Sequence, residues 1–157
     1  MNPQEIYSDF MLVKQMKAPL NVKIKMLTFL FGAQKNPWRV IGITNAALIR
    51  FSEYNFEKVS RMGINRAHLV SRQESYSIML SENYSNCEEW WNFYYKNDCT
   101  ILATSTENLS NGFSLRYNID ENSGLFHSEG YSWHHGQAEI NFLKSLHNSV
   151  RDNPIQP

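Results

Sequence analysis

Short runs at residues 38–44, 64–70 and 100–104, the first and last rich in β-branched residues, read as strands and are each set between stretches whose apolar residues recur at helical spacing. Such strands are not stable alone and must collect into a sheet that helices cover, which excludes an all-helical bundle and an all-β sandwich alike.

The helical stretches carry their own stop signals. Pro3 suits a first turn, and Ile6, Phe10, Val13 and Lys17 repeat at helical spacing, so a helix is expected over residues 4–17, ended by Pro19. Over residues 20–31, Leu20, Ile24, Leu27 and Phe31 fall on one face and Val22, Met26 and Phe29 on another, which predicts a helix buried on most sides. Gly32 and the Asn36-Pro37 step close it. Asn45 stands as the N-cap of a helix over residues 46–59, with a strand over 47–51 as the alternative. After Gly63, Ser71-Arg-Gln-Glu74 has the pattern of a capping box and opens a helix through Leu80.

The second half reads similarly. Residues 87–95 form a helix with Glu88 and Glu89 in its first turn, residues 105–108 a cap or short helix, and residues 113–119 and 125–131 two strands. Asn111-Gly112 is the tightest turn signal. A last helix over residues 136–150 carries Ile140, Leu143 and Leu146, with Phe142 beside them, and residues 152–157 make a frayed tail. No internal repeat or low-complexity linker divides the chain. The expectation is one α+β domain over residues 1–157, with N-terminal helices packed on a small, mainly antiparallel sheet and a C-terminal helix.

With 42% hydrophobic and 13% aromatic residues, this core needs no metal or disulfide staple and the chain is not disordered. The longest apolar-rich run, residues 20–33, contains Lys23 and Lys25 and is too short to cross a bilayer, so no membrane partner is expected. Cys87 and Cys99 lack zinc-ligand spacing, and the opening residues lack the basic and apolar regions of a secretory signal. A cytoplasmic protein is the expectation.

Net charge is zero, yet its distribution is polarised. Residues 1–80 hold eleven Lys and Arg against five Asp and Glu, whereas residues 81–157 hold four against ten. The field near a surface follows local charge, so a polyanion partner or head-to-tail self-association into a homo-oligomer is expected unless the halves cancel each other in the fold.

Histidines supply the candidate bases and ligands. His135 and Glu139 are four apart on the expected last helix and His127 lies on the preceding strand, a set that would suit zinc but is equally a capping and packing cluster. The segment from Gln137 to Leu143 resembles the active-site helix of zinc-dependent deaminases. Gln137 stands where that family has its ligand His, and no downstream Pro-Cys-x-x-Cys follows, so the chemistry does not carry over.

Arg66-Ala-His-Leu-Val-Ser-Arg72, followed by the segment from Asp98 to Leu109, resembles the ββα-metal (HNH) nucleases over residues 64–112. The resemblance implies that His68 is the general base on an attacking water and that a divalent ion, magnesium or manganese, is held by Asp98 or Asn97 together with Asn108. Ala67 stands where many members place an acidic or His ligand, and Gly112 leaves the helix short. In sequence, Lys58, Arg61, Arg66 and Arg72 surround His68 with the cations that a phosphodiester backbone of DNA or RNA needs.

Trp90, Trp91, Phe93, Tyr94 and Tyr95 form either core or a contact patch. Glu88 and Glu89 beside them repel phosphate, so Trp90 and Trp91 are candidates for meeting a protein. Two functions therefore stand: a nucleic-acid-acting protein, as a metal-dependent endonuclease using His68, or a non-enzymatic inhibitor or adaptor whose acidic, aromatic second half docks a basic partner.

Overall fold

A computed structural model describes residues 2–110 and 112–152 as an α+β fold. The elements run α1 (Pro3–Gln15), α2 (Leu20–Gly32), β1 (Arg39–Thr44), α3 (Asn45–Ser52), β2 (Ile64–His68), α4 (Arg72–Ser81) and α5 (Cys87–Asn97). Then follow β3 (Cys99–Thr104), α6 (Ser105–Ser110), β4 (Arg116–Asn118), β5 (Ser128–Glu129), β6 (Ser132–Trp133) and α7 (Gln137–Asp152). Asn111 and most of the expected tail lie outside the described residues. The chain forms two compact units: one from residues up to Trp38, His68–Cys99 and Ser128–Ser132, the other from Arg39–Ala67, Thr100–His127 and Trp133 onward.

The first unit is a helical cluster of α1, α2, α4 and α5. Asn2 caps α1 by accepting the Gln4 N–H at 3.1 Å, Pro3 takes the position where a missing N–H costs nothing, and Ile6, Phe10 and Val13 turn inward. Their partners are Leu27, Phe31, Tyr76, Met79, Trp90 and Tyr94. Trp90 stacks on Tyr94 at 5.5 Å and on Phe10 at 5.3 Å, so this core is built of aromatic faces. In α2 only Leu27 and Phe31 are buried, whereas Leu20, Val22 and Phe29 are exposed, Phe29 by 70%. The expected burial on most sides fails: α1 and α4 pack on α2, Met26 of the second stripe is partly buried against this core, and Val22 and Phe29 of the same stripe are exposed.

The second unit holds a mixed four-stranded sheet in the order β2-β3-β1-β4, with β1 and β4 antiparallel and Ile43 opposite Tyr117. Gly42 permits the close β1–β4 approach, since a Cβ there would lie 3.0 Å from the Tyr117 carbonyl oxygen. Val40, Ile43, Leu48, Phe51, Leu102, Phe126 and Leu143 form the core, with α7 against α3. Helix α3 begins one residue earlier than expected, because Thr44 is the cap and accepts the Ala47 N–H at 3.1 Å. It ends at Ser52 instead of running to residue 59: Asn55 and Phe56 adopt left-handed φ of 54° and 63°, and the Phe56 N–H closes back on the Phe51 carbonyl at 2.8 Å. The expected strand over residues 125–131 is a two-residue β5 followed by a tight turn at Gly130-Tyr131 into β6.

Candidate functional site

Trp38 organises the first unit's polar surface. The sequence places it at the start of a strand, but its backbone is left-handed, φ 52°, and β1 begins only at Arg39. A non-glycine residue in this region costs of the order of 1–3 kcal/mol and persists only where the surroundings over-determine it. Here they do. The Trp38 amide donates to Asp98 Oδ2 at 3.1 Å, the indole Nε1–H donates to the Tyr76 hydroxyl at 3.2 Å, and the Ser128 hydroxyl donates to the Trp38 carbonyl at 3.2 Å. Gly32 leaves room for the ring, since a Cβ there would stand 2.8 Å from Trp38 Cη2.

Other functional side chains are gathered around this ring, which is itself only 2% exposed. His68, the last residue of β2, presents its imidazole edge-on with centroids 5.9 Å apart. Arg72 is the first residue of α4, where the Ser71 hydroxyl caps the helix by accepting the Glu74 N–H at 3.1 Å; its guanidinium carbon lies 4.9 Å from the Trp38 ring centroid. A guanidinium over an indole at this distance makes a cation–π contact. Tyr131, in the tight turn, packs on the same indole at 5.1 Å. Trp38, His68, Arg72, Tyr76, Asn97 and Asp98 line one shallow hollow.

Charges of opposite sign, Arg72 and Asp98, line the hollow. Burial pushes the Tyr76 hydroxyl well above its ordinary value, and the nearby Asp98 charge adds to this, so it stays a neutral phenol. Arg72 supplies cationic donors, and His68 supplies an imidazole, the side chain most often used as a general base.

Of the residues singled out from the sequence, His68, Arg72 and Asp98 come together here. Asp98 is buried and anchors Trp38, so one of its oxygens is already engaged. Asn97 lines the hollow while its Nδ2 donates to the Phe93 carbonyl at 2.8 Å. Asn108, Lys58, Arg61 and Arg66 belong to the second unit. There Asn108 is exposed on α6, Arg61 is exposed before β2, and Arg66 is half-buried within β2. Lys58 donates to the Trp133 carbonyl at 2.9 Å and sits 3.9 Å from the Trp133 ring centroid. Trp90 is wholly buried and has no surface with which to meet a partner; Trp91 is half-buried, 6.0 Å from the more exposed Tyr95.

The histidine cluster of the second unit differs from its expected form. Helix α7 starts at Gln137, so His135 precedes it and does not share a helical face with Glu139. His135 instead stacks on Phe51 at 5.3 Å, with its Nε2 2.9 Å from the Phe56 carbonyl, and burial lowers its pKa. His134 is the ring near Glu139, at 3.9 Å, and it stacks on His127 at 4.6 Å with planes 13° apart. Face-to-face imidazoles do not aim their nitrogens at a shared point. Glu139 is buried and accepts the Gly136 and Phe126 amides at 2.7 and 3.2 Å, which together outweigh burial and hold its carboxyl below the usual range. Among the described residues, no group of three or more His, Cys, Asp or Glu is arranged to hold a metal ion.

Glu107 is a third buried carboxylate, after Asp98 and Glu139, and one that sequence reading passed over. Its Oε2 accepts the Thr44 hydroxyl at 2.8 Å and the Thr104 amide and hydroxyl at 2.9 Å, while Oε1 accepts the Ser114 amide and hydroxyl at 2.9 and 2.6 Å. Burial alone would raise its pKa, but these bonds, Ser114 foremost, hold it at about 2. Thr104-x-x-Glu107 is a capping box, so a signal for it was present. Tyr131 was also missed, although Gly130-Tyr131 between Ser128-Glu129 and Ser132-Trp133 is a two-residue hairpin signal.

No helix among the described residues is long and apolar enough to cross a membrane. Compared with known proteins, the chain matches no family model, none of the curated sequences and none of the solved structures.

Proposed function

We propose that the protein binds nucleic acid at the hollow bordered by His68 and Arg72 and acts on its phosphodiester backbone, with His68 as general base. One observation carries this reading: an imidazole and a guanidinium are held against the same indole and border the same hollow. Arg72 receives the phosphate through two parallel N–H donors, and packing of its guanidinium over Trp38 at 4.9 Å reduces the ordering left to do. His68 takes the proton of the attacking water as its oxygen bonds to phosphorus and one P–O ester bond breaks. The imidazolium, favoured by the Asp98 carboxylate on the same lining, then returns that proton to the sugar oxygen that leaves.

Magnesium or manganese would arrive with the phosphate, since among the described residues no group of three or more His, Cys, Asp or Glu is arranged to hold a metal ion. Asp98, the carboxylate on the lining, accepts the Trp38 amide. Cys87 and Cys99 are both thiols, which supports a cytoplasmic location. The alternative reading, docking of a basic protein partner, would rest on Trp91 and Tyr95, since Trp90 is core.

The test is incubation of supercoiled plasmid and of single-stranded DNA and RNA with the protein in magnesium or manganese. Cleavage should fall about 10²–10⁴-fold in His68→Gln at an unchanged melting temperature. Equal cleavage by the variant removes His68 from the role of base, and no cleavage by the natural protein overturns the catalytic reading.

A further inference from the structure

We infer that the surface formed by Arg72 and Tyr131 over Trp38 selects single-stranded nucleic acid, with Tyr131 as the residue on which an unpaired base stacks. The inference rests on the phosphate-binding reading above and adds the substrate class. Tyr131 is 63% exposed. Its position is built rather than incidental, because the turn that carries it needs a left-handed residue and Gly130, φ 56°, supplies one. Trp38 packs against the ring at 5.1 Å with the planes tilted by 47°. The exposure places the remaining ring surface in solvent.

The same indole therefore supports three groups: a guanidinium at 4.9 Å, an imidazole edge at 5.9 Å and an exposed phenol at 5.1 Å. A phosphate at Arg72 and a flat aromatic platform one ring away are the two elements that single-strand binding sites combine, a cationic groove for backbone and a π-face for bases. A duplex meets the first but not the second, because its bases are stacked on one another and cannot reach a ring beside the backbone. Trp38 is too buried to serve as the platform itself. It is the foundation that keeps Tyr131 and Arg72 in register, which reduces the ordering cost of binding.

The experiment is fluorescence anisotropy with a labelled single-stranded oligonucleotide, DNA and RNA in turn, and with the matching DNA duplex at the same salt. The natural protein should bind the single strands more tightly, and Tyr131→Ala should weaken that binding about 5- to 100-fold while duplex affinity stays unchanged. Tyr131→Phe, which keeps the ring face, should bind like the natural protein. Unchanged single-strand affinity in Tyr131→Ala, an equal loss on duplex, or a loss in Tyr131→Phe as large as in Tyr131→Ala overturns the stacking role. If Tyr131→Ala is silent while Arg72→Gln weakens every probe, the phosphate site stands and the single-strand selection falls. Absence of binding to all three probes overturns both.

Discussion

The Asp98 carboxylate accepts the backbone N–H of Trp38 at 3.1 Å, joining the C-cap of α5 to a left-handed residue sixty positions earlier in the chain. Both groups are buried, so removing the carboxylate leaves a donor that water does not reach. Asp98→Ala should cost about 1–3 kcal/mol in urea unfolding, and Asp98→Asn, which keeps an acceptor oxygen, less. An Asp98→Ala protein as stable as the natural one would show that the bond does not hold Trp38.

Gly32 tests the same anchor from the other side of the ring. An alanine methyl group there would stand 2.8 Å from Trp38 Cη2, closer than carbon atoms approach without displacement. Gly32→Ala should destabilise by about 1–3 kcal/mol through this overpacking, despite alanine being the better helix former. A stabilised variant would mean that the indole moves freely.

Glu107 gives the second unit a pH-dependent stability. Its carboxyl titrates at about 2 in the folded chain against an ordinary 4.5, so the unfolded chain binds the proton first as pH falls. The contribution is complete above about pH 4.5 and disappears as pH drops towards 2. In denaturant titrations, the stability gap between the natural protein and Glu107→Gln should be about 1–3 kcal/mol at neutral pH and close at low pH. A gap independent of pH would contradict the hydrogen-bond origin.

Trp90 and Trp91 are adjacent in sequence and unlike in burial. Trp90→Ala should cost about 3–5 kcal/mol because it empties the centre of an aromatic core, and Trp91→Ala markedly less. Equal losses in thermal unfolding would place both rings in the core.

Local signals account for what the sequence foretold. The inward residues of α1 follow from period and proline, and the start of α4 follows from Ser71 and Glu74, because caps and periodicity act within a few residues. Periodicity does not report whether a second apolar stripe finds a neighbour, which is why Val22 and Phe29 were expected inside. Trp38 escaped because distant groups, Asp98, Tyr76 and Gly32, decide its backbone angle. The histidine cluster shifted because α7 begins after His135, and an offset of one residue exchanges His135 for His134 near Glu139. At the hollow, His68, Arg72 and Asp98 were visible as residue types, whereas their common support, Trp38, was not.

The central claim is that Arg72 meets a phosphate. Affinity for a single-stranded oligonucleotide should be measured across a sodium chloride series for the natural protein and for Arg72→Gln. Neutralising one phosphate contact lowers the slope of log affinity against log salt by about 1, so the variant should bind more weakly and with a slope shallower by that amount. Superimposable salt dependences would contradict the assignment of Arg72 to the nucleic-acid backbone.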